Sequence, residues 1–158
     1  MDPQNHARHY LISVWQPWAT LLARHIKSIE TRPYIWRGMM PCPFAIHASN
    51  QKHSVMRDIA RKFSEMGMLG EQYDDLPFGA VVGCGVLSDC VASDALLRQG
   101  RVSEQEIKMG DFSPGRFGWV FSRMEEIDPI AMPGRPGPWP WRNVGSFEVP
   151  DWFVEFKG

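Results

Sequence analysis

The sequence predicts an α+β fold, a mixed β-barrel with short helices inserted between its strands. Three observations carry that expectation. Short strand-like runs recur along the chain with short helical patterns between them and no regular βα repeat, which favours a barrel with insertions over a doubly wound sheet. Residues 79–87 set β-branched side chains among glycines, the composition of a buried strand that bends sharply. A chain of 158 residues that is 44% hydrophobic buries a substantial core without metal or disulfide support. One domain is expected over residues 10–156, after a polar extension at residues 1–9.

Each element follows from its own pattern. Residues 10–14 read as the first strand. Pro17 suits the first position of a helix, where its missing N–H needs no partner. Ala19, Leu22, Ala23 and Ile26 then fall at i, i+3, i+4 and i+7, which gives that helix one apolar face. Residues 29–32 read as extended, with Glu30 and Arg32 on one side, Thr31 on the other, and Lys27 reaching the space beside Glu30. Residues 43–48 form a strand whose one face carries His47, with Ser49 just beyond it.

Met56, Ile59, Ala60 and Phe63 predict a helix over 53–66 that stops at Gly67. Residues 67–77 are polar and irregular. Short helices are expected at 94–100 and 103–108, the second with Ser103 and Glu106 spaced as a capping box. Residues 116–123 read as a strand, followed by exposed Glu125, Glu126 and Asp128. The segment 132–141 carries four prolines together with Trp139 and Trp141, so it is expected to be a loop. Residues 146–149 suggest a last strand, and 150–156 a terminal segment packed through its aromatics.

Composition excludes some functions. A formal net charge of −1 argues against clamping long nucleic acid by bulk electrostatics, although Arg24, Lys27, Arg32 and Arg37 could form a local basic cluster. Cys42, Cys84 and Cys90 are odd in number and lack metal-ligand spacing, which points to free thiols, no metal and a reducing cytoplasm. No run of about 18 apolar residues exists to span a membrane, and no signal core is present at the N-terminus. Cofactor motifs are absent, and the adjacent Asp74 and Asp75 read as solvated.

The residues with chemical interest gather at one strand-to-helix turn. Trp15, Gln16 and Trp18 flank Pro17 there, and Lys27, Glu30 and Arg32 follow within a few turns of chain. Aromatic faces hold bases at roughly 1 to 3 kcal/mol each, so this company suits a flat, polar, nucleobase-like ligand. The plain alternative is a tryptophan core beside a solvated Glu30–Arg32 pair. Trp119 and Trp152 read as core. A buried Lys27 could act as a neutral base or, held protonated by Glu30, could stabilise a developing anion. His47 and Ser49 could bond a base edge or phosphate, or could serve the fold, Ser49 as a helix cap.

The ordered pattern Ser13-x-Trp15-Gln16-Pro17-Trp18-Ala19, Ile26-Lys27-x-x-Glu30-x-Arg32, Ala45-Ile46-His47-Ala48-Ser49, Gly79-Ala80-Val81-Val82-Gly83 and Gly118-Trp119-Val120-Phe121 resembles the ASCH domain family. The resemblance spans residues 10–145 and implies a PUA-like β-barrel that binds RNA or a modified nucleobase or nucleoside. It also implies an alternative, because some small ASCH proteins are amidohydrolases that deacetylate acetylcytidine with a Lys, a Thr and a Glu, and one relative is a ribonuclease. Lys27 matches that lysine. The threonine position holds Glu30, with Thr31 one residue later, and Asp89 falls near the glutamate. A protein partner at the exposed Pro/Trp loop 132–141 is a further expectation.

Overall fold

The computed structural model describes residues 8–158, so the expected polar extension lies mostly outside the described residues. Strand β1 (Tyr10–Val14) leads into helix α1 (Trp18–Ala23), strand β2 (Ile29–Arg32) and strand β3 (Cys42–Ala48). Helix α2 (Ser54–Glu65) is followed by the long strand β4 (Ala80–Ala92), helices α3 (Ser93–Arg98) and α4 (Glu104–Met109), and the longer strand β5 (Phe117–Ala131). A two-residue strand β6 (Trp139–Pro140) and helix α5 (Asp151–Val154) complete the order.

All six strands form one sheet in the order β2-β5-β4-β3-β1-β6. Only the β1/β3 pair is parallel. The sheet curls strongly: the guanidinium of Arg32 on edge strand β2 donates to the carbonyl oxygen of Ser13 on β1, four places away in the sheet. Because β2 and β1 exchange no ladder hydrogen bonds, the expected barrel is a half-barrel with an open seam.

Glycines let the sheet curl. β4 carries register shifts after Val81, Val86 and Leu87, and each bulge adds local twist. At Gly85 a Cβ would meet the Arg123 carbonyl oxygen at 2.5 Å and the Met124 side chain at 2.6 Å, so only glycine lets Met124 lie across the bend. Inside the curl, Trp119, Phe44, Phe121 and Ile46 pack with Ala19, Leu22 and Ala23 of α1. Burying such side chains contributes about 1.5–3 kcal/mol each.

Helix α1 differs from the sequence expectation. Pro17 is the cap residue ahead of the helix rather than its first member, and α1 ends at Ala23, short of Ile26, with every residue from Ala19 to Ala23 buried rather than one face alone. The expected 146–149 strand is absent; a 3-10 turn at Val144–Ser146 and an irregular segment over 147–150 lead to α5, whose Phe153 seals a second core with Trp139 and Trp141. β5 runs on past Arg123, so Glu125, Glu126 and Asp128 are strand residues, exposed as expected. α2 stops where expected, with Gly67 at φ 79°. No described helix is long and apolar enough to cross a membrane.

Candidate functional site

The open seam between β1 and β2 forms a cleft of about 540 Å³, bounded on its far side by α2 and by residues 108–111 at the end of α4. Its walls include Trp15, Trp18, Lys27, Glu30 and Arg32, which the sequence had placed near one another. Trp15 is 43% exposed, its ring 4.9 Å from that of His53. Trp18 is fixed edge-on by an indole N–H donated to the Met109 carbonyl oxygen at 2.7 Å.

At the floor of the cleft Lys27 is only 1% exposed. Its Nζ lies 3.4 Å from Glu106 Oε1 and 5.7 Å from the centre of the Phe112 ring. The backbone at Gly110 passes so close that a Cβ there would stand 3.0 Å from Nζ. Glu106 Oε1 also accepts the N–H of Ile29 at 2.7 Å and of Ser28 at 3.2 Å. A buried carboxylate with this set of donors is well satisfied, and it positions both the ammonium group and the start of β2.

Glu106, read from the sequence only as a capping-box member, is the acid that pairs with Lys27. Ser103 does cap α4, its Oγ accepting the Glu106 N–H at 3.1 Å. The Glu106 carboxylate, however, is drawn away to Lys27 and the β2 entrance. The signal available in the sequence was a glutamate spaced three residues after a cap; only the fold brings it to a lysine 79 residues away.

The other expected site residues divide clearly. Glu30 and Arg32 share a face as predicted and pair at 3.2 Å, Nε to Oε2, so Lys27 takes its partner from α4 and not from Glu30. Thr31 also borders the cleft, with its carbonyl oxygen accepting from Arg116 at 2.8 Å. Asp89 does not line the cleft. It pairs with Arg101 of the loop after α3 at 2.9 Å on the surface and accepts the Cys90 N–H. Gln16 is fully buried, with Nε2 donating to Pro77 O at 2.8 Å and Oε1 accepting the Thr20 N–H at 3.0 Å. Both ends of its side chain are engaged within the protein, by the loop at Pro77 and by the start of α1.

His47 and Ser49 border a second cleft, of about 940 Å³, on the other side of Trp15 and Arg32. His47 is 1% exposed and both its nitrogens are used: Nε2 donates to the Met132 carbonyl oxygen at 2.7 Å and Nδ1 accepts from Ser13 Oγ at 3.0 Å. Burial holds its imidazole below the ordinary histidine value, against the opposing bond to Met132. Ser49 Oγ accepts the Gln51 N–H at 3.2 Å, and the cap position of α2 falls on His53 instead.

Trp119 is core, as expected, whereas Trp152 is half-buried, stacked at 3.7 Å under the Arg123 guanidinium. The thiols Cys42, Cys84 and Cys90 are free and buried, and burial pushes Cys42 and Cys84 up to about 12. Among the described residues no group of His, Cys, Asp and Glu side chains is arranged to hold a metal. Asp74 is engaged by Arg57 at 2.9 Å.

No family model matches the sequence, and no curated protein matches it. Solved structures do. The chain is similar to ASCH from Zymomonas mobilis, with 15% identity, a TM-score of 0.57, and coverage of 96% of this chain and 97% of that one. It is similar also to a serine-to-alanine mutant of that protein (16% identity, TM-score 0.56, 89% of this chain and 93% of that one). A tyrosine-to-phenylalanine mutant gives 16% identity and a TM-score of 0.55 over 96% of this chain and 99% of that one. At these identities the likeness concerns the fold: the chain has the α+β fold of those ASCH structures.

Proposed function

We propose that the seam cleft binds RNA or a plain or modified nucleobase or nucleoside, whose base stacks on Trp15 while Lys27, Glu30 and Arg32 meet its polar edges. The observation that carries this reading is the pairing of an exposed indole with a lysine that is 1% exposed yet borders the same 540 Å³ space. A cleft of this size suits a small ligand or one unit of a polymer. The Glu30 carboxylate offers an acceptor to ring or amino N–H groups, and the Arg32 and Lys27 cations offer donors to carbonyl oxygens. The cytoplasm, where thiols stay reduced, is part of the same proposal.

The test is equilibrium binding of nucleosides and short single-stranded RNAs to the wild type and to Trp15→Ala. Losing one stacking platform should weaken binding by about 1 to 3 kcal/mol, with the circular dichroism spectrum unchanged because Trp15 is not core. Equal affinity in the two proteins would refute the assignment.

The Lys27–Glu106 pair favours a second reading, hydrolysis of an amide on an N-acylated nucleoside. A buried lysine beside a carboxylate can stabilise the oxyanion of a tetrahedral intermediate, and Thr31 borders the same cleft. Acylated nucleosides incubated with the wild type and with Lys27→Met separate the readings: lysine-dependent deacylation seen by mass spectrometry establishes the enzyme, and binding without product establishes the binding module.

A further inference from the structure

The two clefts are not separate sites. Ser13, Trp15 and Arg32 line both of them, so Trp15 and Arg32 stand as a low partition in one continuous trough. The halves differ in chemistry. The seam cleft is walled by indoles and by side chains of both charges. The second cleft has no carboxylate among its lining residues; it offers the guanidinium groups of Arg32 and Arg135, the hydroxyls of Ser13 and Ser49, and the side-chain amides of Asn50 and Gln51. Arg135 is exposed and forms no ion pair among the described residues.

The outer wall of the second cleft is also anchored at both ends. Its loop, residues 132–138, is tied to the sheet by the His47 bond to Met132 O and by the Met132 N–H donated to Gly79 O at 3.1 Å. At Gly134 the backbone lies directly over the imidazole, where a Cβ would stand 2.9 Å from His47 Cε1 and 3.3 Å from Ser13 Oγ. Beyond the loop, Trp139 and Trp141 are buried in the second core. The trough is therefore preformed, and a ligand pays little to order it.

Resting on the proposed function, we infer that the ligand is a single strand of RNA rather than a free nucleoside. Its base occupies the seam cleft, and the phosphodiester and adjoining sugar on one side of that base occupy the second cleft, held by Arg135, since Arg32 is engaged by Glu30 and the Ser13 carbonyl oxygen. An acid-free pocket with two guanidinium groups and several hydroxyl and amide groups matches a phosphate and a ribose. It has no comparable use for the edge of a lone nucleoside already accommodated next door.

The experiment compares a nucleoside, the dinucleoside monophosphate that adds one phosphodiester, and a short single-stranded RNA, each titrated into the wild type, Arg135→Ala and a control, Arg98→Ala, whose charge lies outside the trough. One charge-assisted contact predicts that the dinucleoside monophosphate binds about ten- to a hundredfold more tightly than the nucleoside. Arg135→Ala should collapse that ratio towards one and reduce the slope of log affinity against log salt by about 0.7, and Arg98→Ala should leave both as in the wild type. Equal binding of nucleoside and dinucleoside monophosphate, or a ratio untouched by Arg135→Ala, overturns the inference while the seam cleft stands. If no nucleoside or RNA binds the wild type, the proposed function itself falls.

Discussion

At the scale of single residues, the buried Lys27–Glu106 pair carries the largest predicted effects. Removing one member of a buried ion pair leaves the other charge uncompensated, at a cost of about 3–5 kcal/mol. Glu106→Ala should lower stability by that order in urea denaturation, since Ser28 and Ile29 also lose their acceptor. The double change Lys27→Met with Glu106→Leu should recover much of the loss; a double variant as unstable as the sum of the singles would mean the pair is not coupled. His47 sets a pH dependence. The unfolded chain takes up a proton near its ordinary value, about 6.5, whereas burial lowers the folded value, so between the two values the unfolded state binds more protons. Stability is then full above about pH 6.5 and falls as pH drops through that window. The urea midpoint should decline as pH falls below about 6.5, and less so in His47→Gln. Lys27 and Arg32 could be singled out from sequence because they sit near the tryptophans in the chain. Glu106 could not, because a capping-box spacing explains it locally and its partner is distant, and the burial of Gln16 could not be read because its bond to Pro77 spans 61 residues of chain.

At the scale of elements, local patterns fixed most identities and tertiary packing fixed the rest. β1, β2 and α2 follow from periodicity because each also has clear end signals, such as Gly67. β4 and β5 run longer than their apolar patterns, since each extension pairs with the apolar start of the other strand, residues 89–92 with 117–120 and residues 124–131 with 80–85, and ladder bonds need no apolar side chain. The supposed strand at 146–149 failed because Phe147 and Val149 pack into the second core from an irregular segment. Two substitutions test how elements position the site. Gly85→Ala would press a methyl group onto the Arg123 carbonyl oxygen and should cost about 1–3 kcal/mol by overpacking, as read by thermal unfolding. Ser103→Ala removes the cap of α4, costs about 1 kcal/mol, and should weaken ligand binding as well, because α4 carries Glu106 to Lys27.

At the scale of the whole molecule, the site is a consequence of incomplete closure. A sheet that curls until β2 faces β1, without the ladder bonds that would zip them, leaves a seam with polar edges, and the chain fills its rim with aromatic and ionic side chains. The curl could be anticipated from the glycines of β4, but the seam could not, since no local pattern states which two strands fail to pair. The central claim is that ligand enters at this seam, and the seven tryptophans make it directly measurable. In a nitrogen–proton correlation spectrum each indole N–H gives a separate signal, assignable by single substitutions. Adding short single-stranded RNA should shift the Trp15 signal most and that of Trp18 next, leaving Trp119, Trp139 and Trp152 in place. Shifts centred on Trp152, or no indole shift at saturating RNA, would contradict the account.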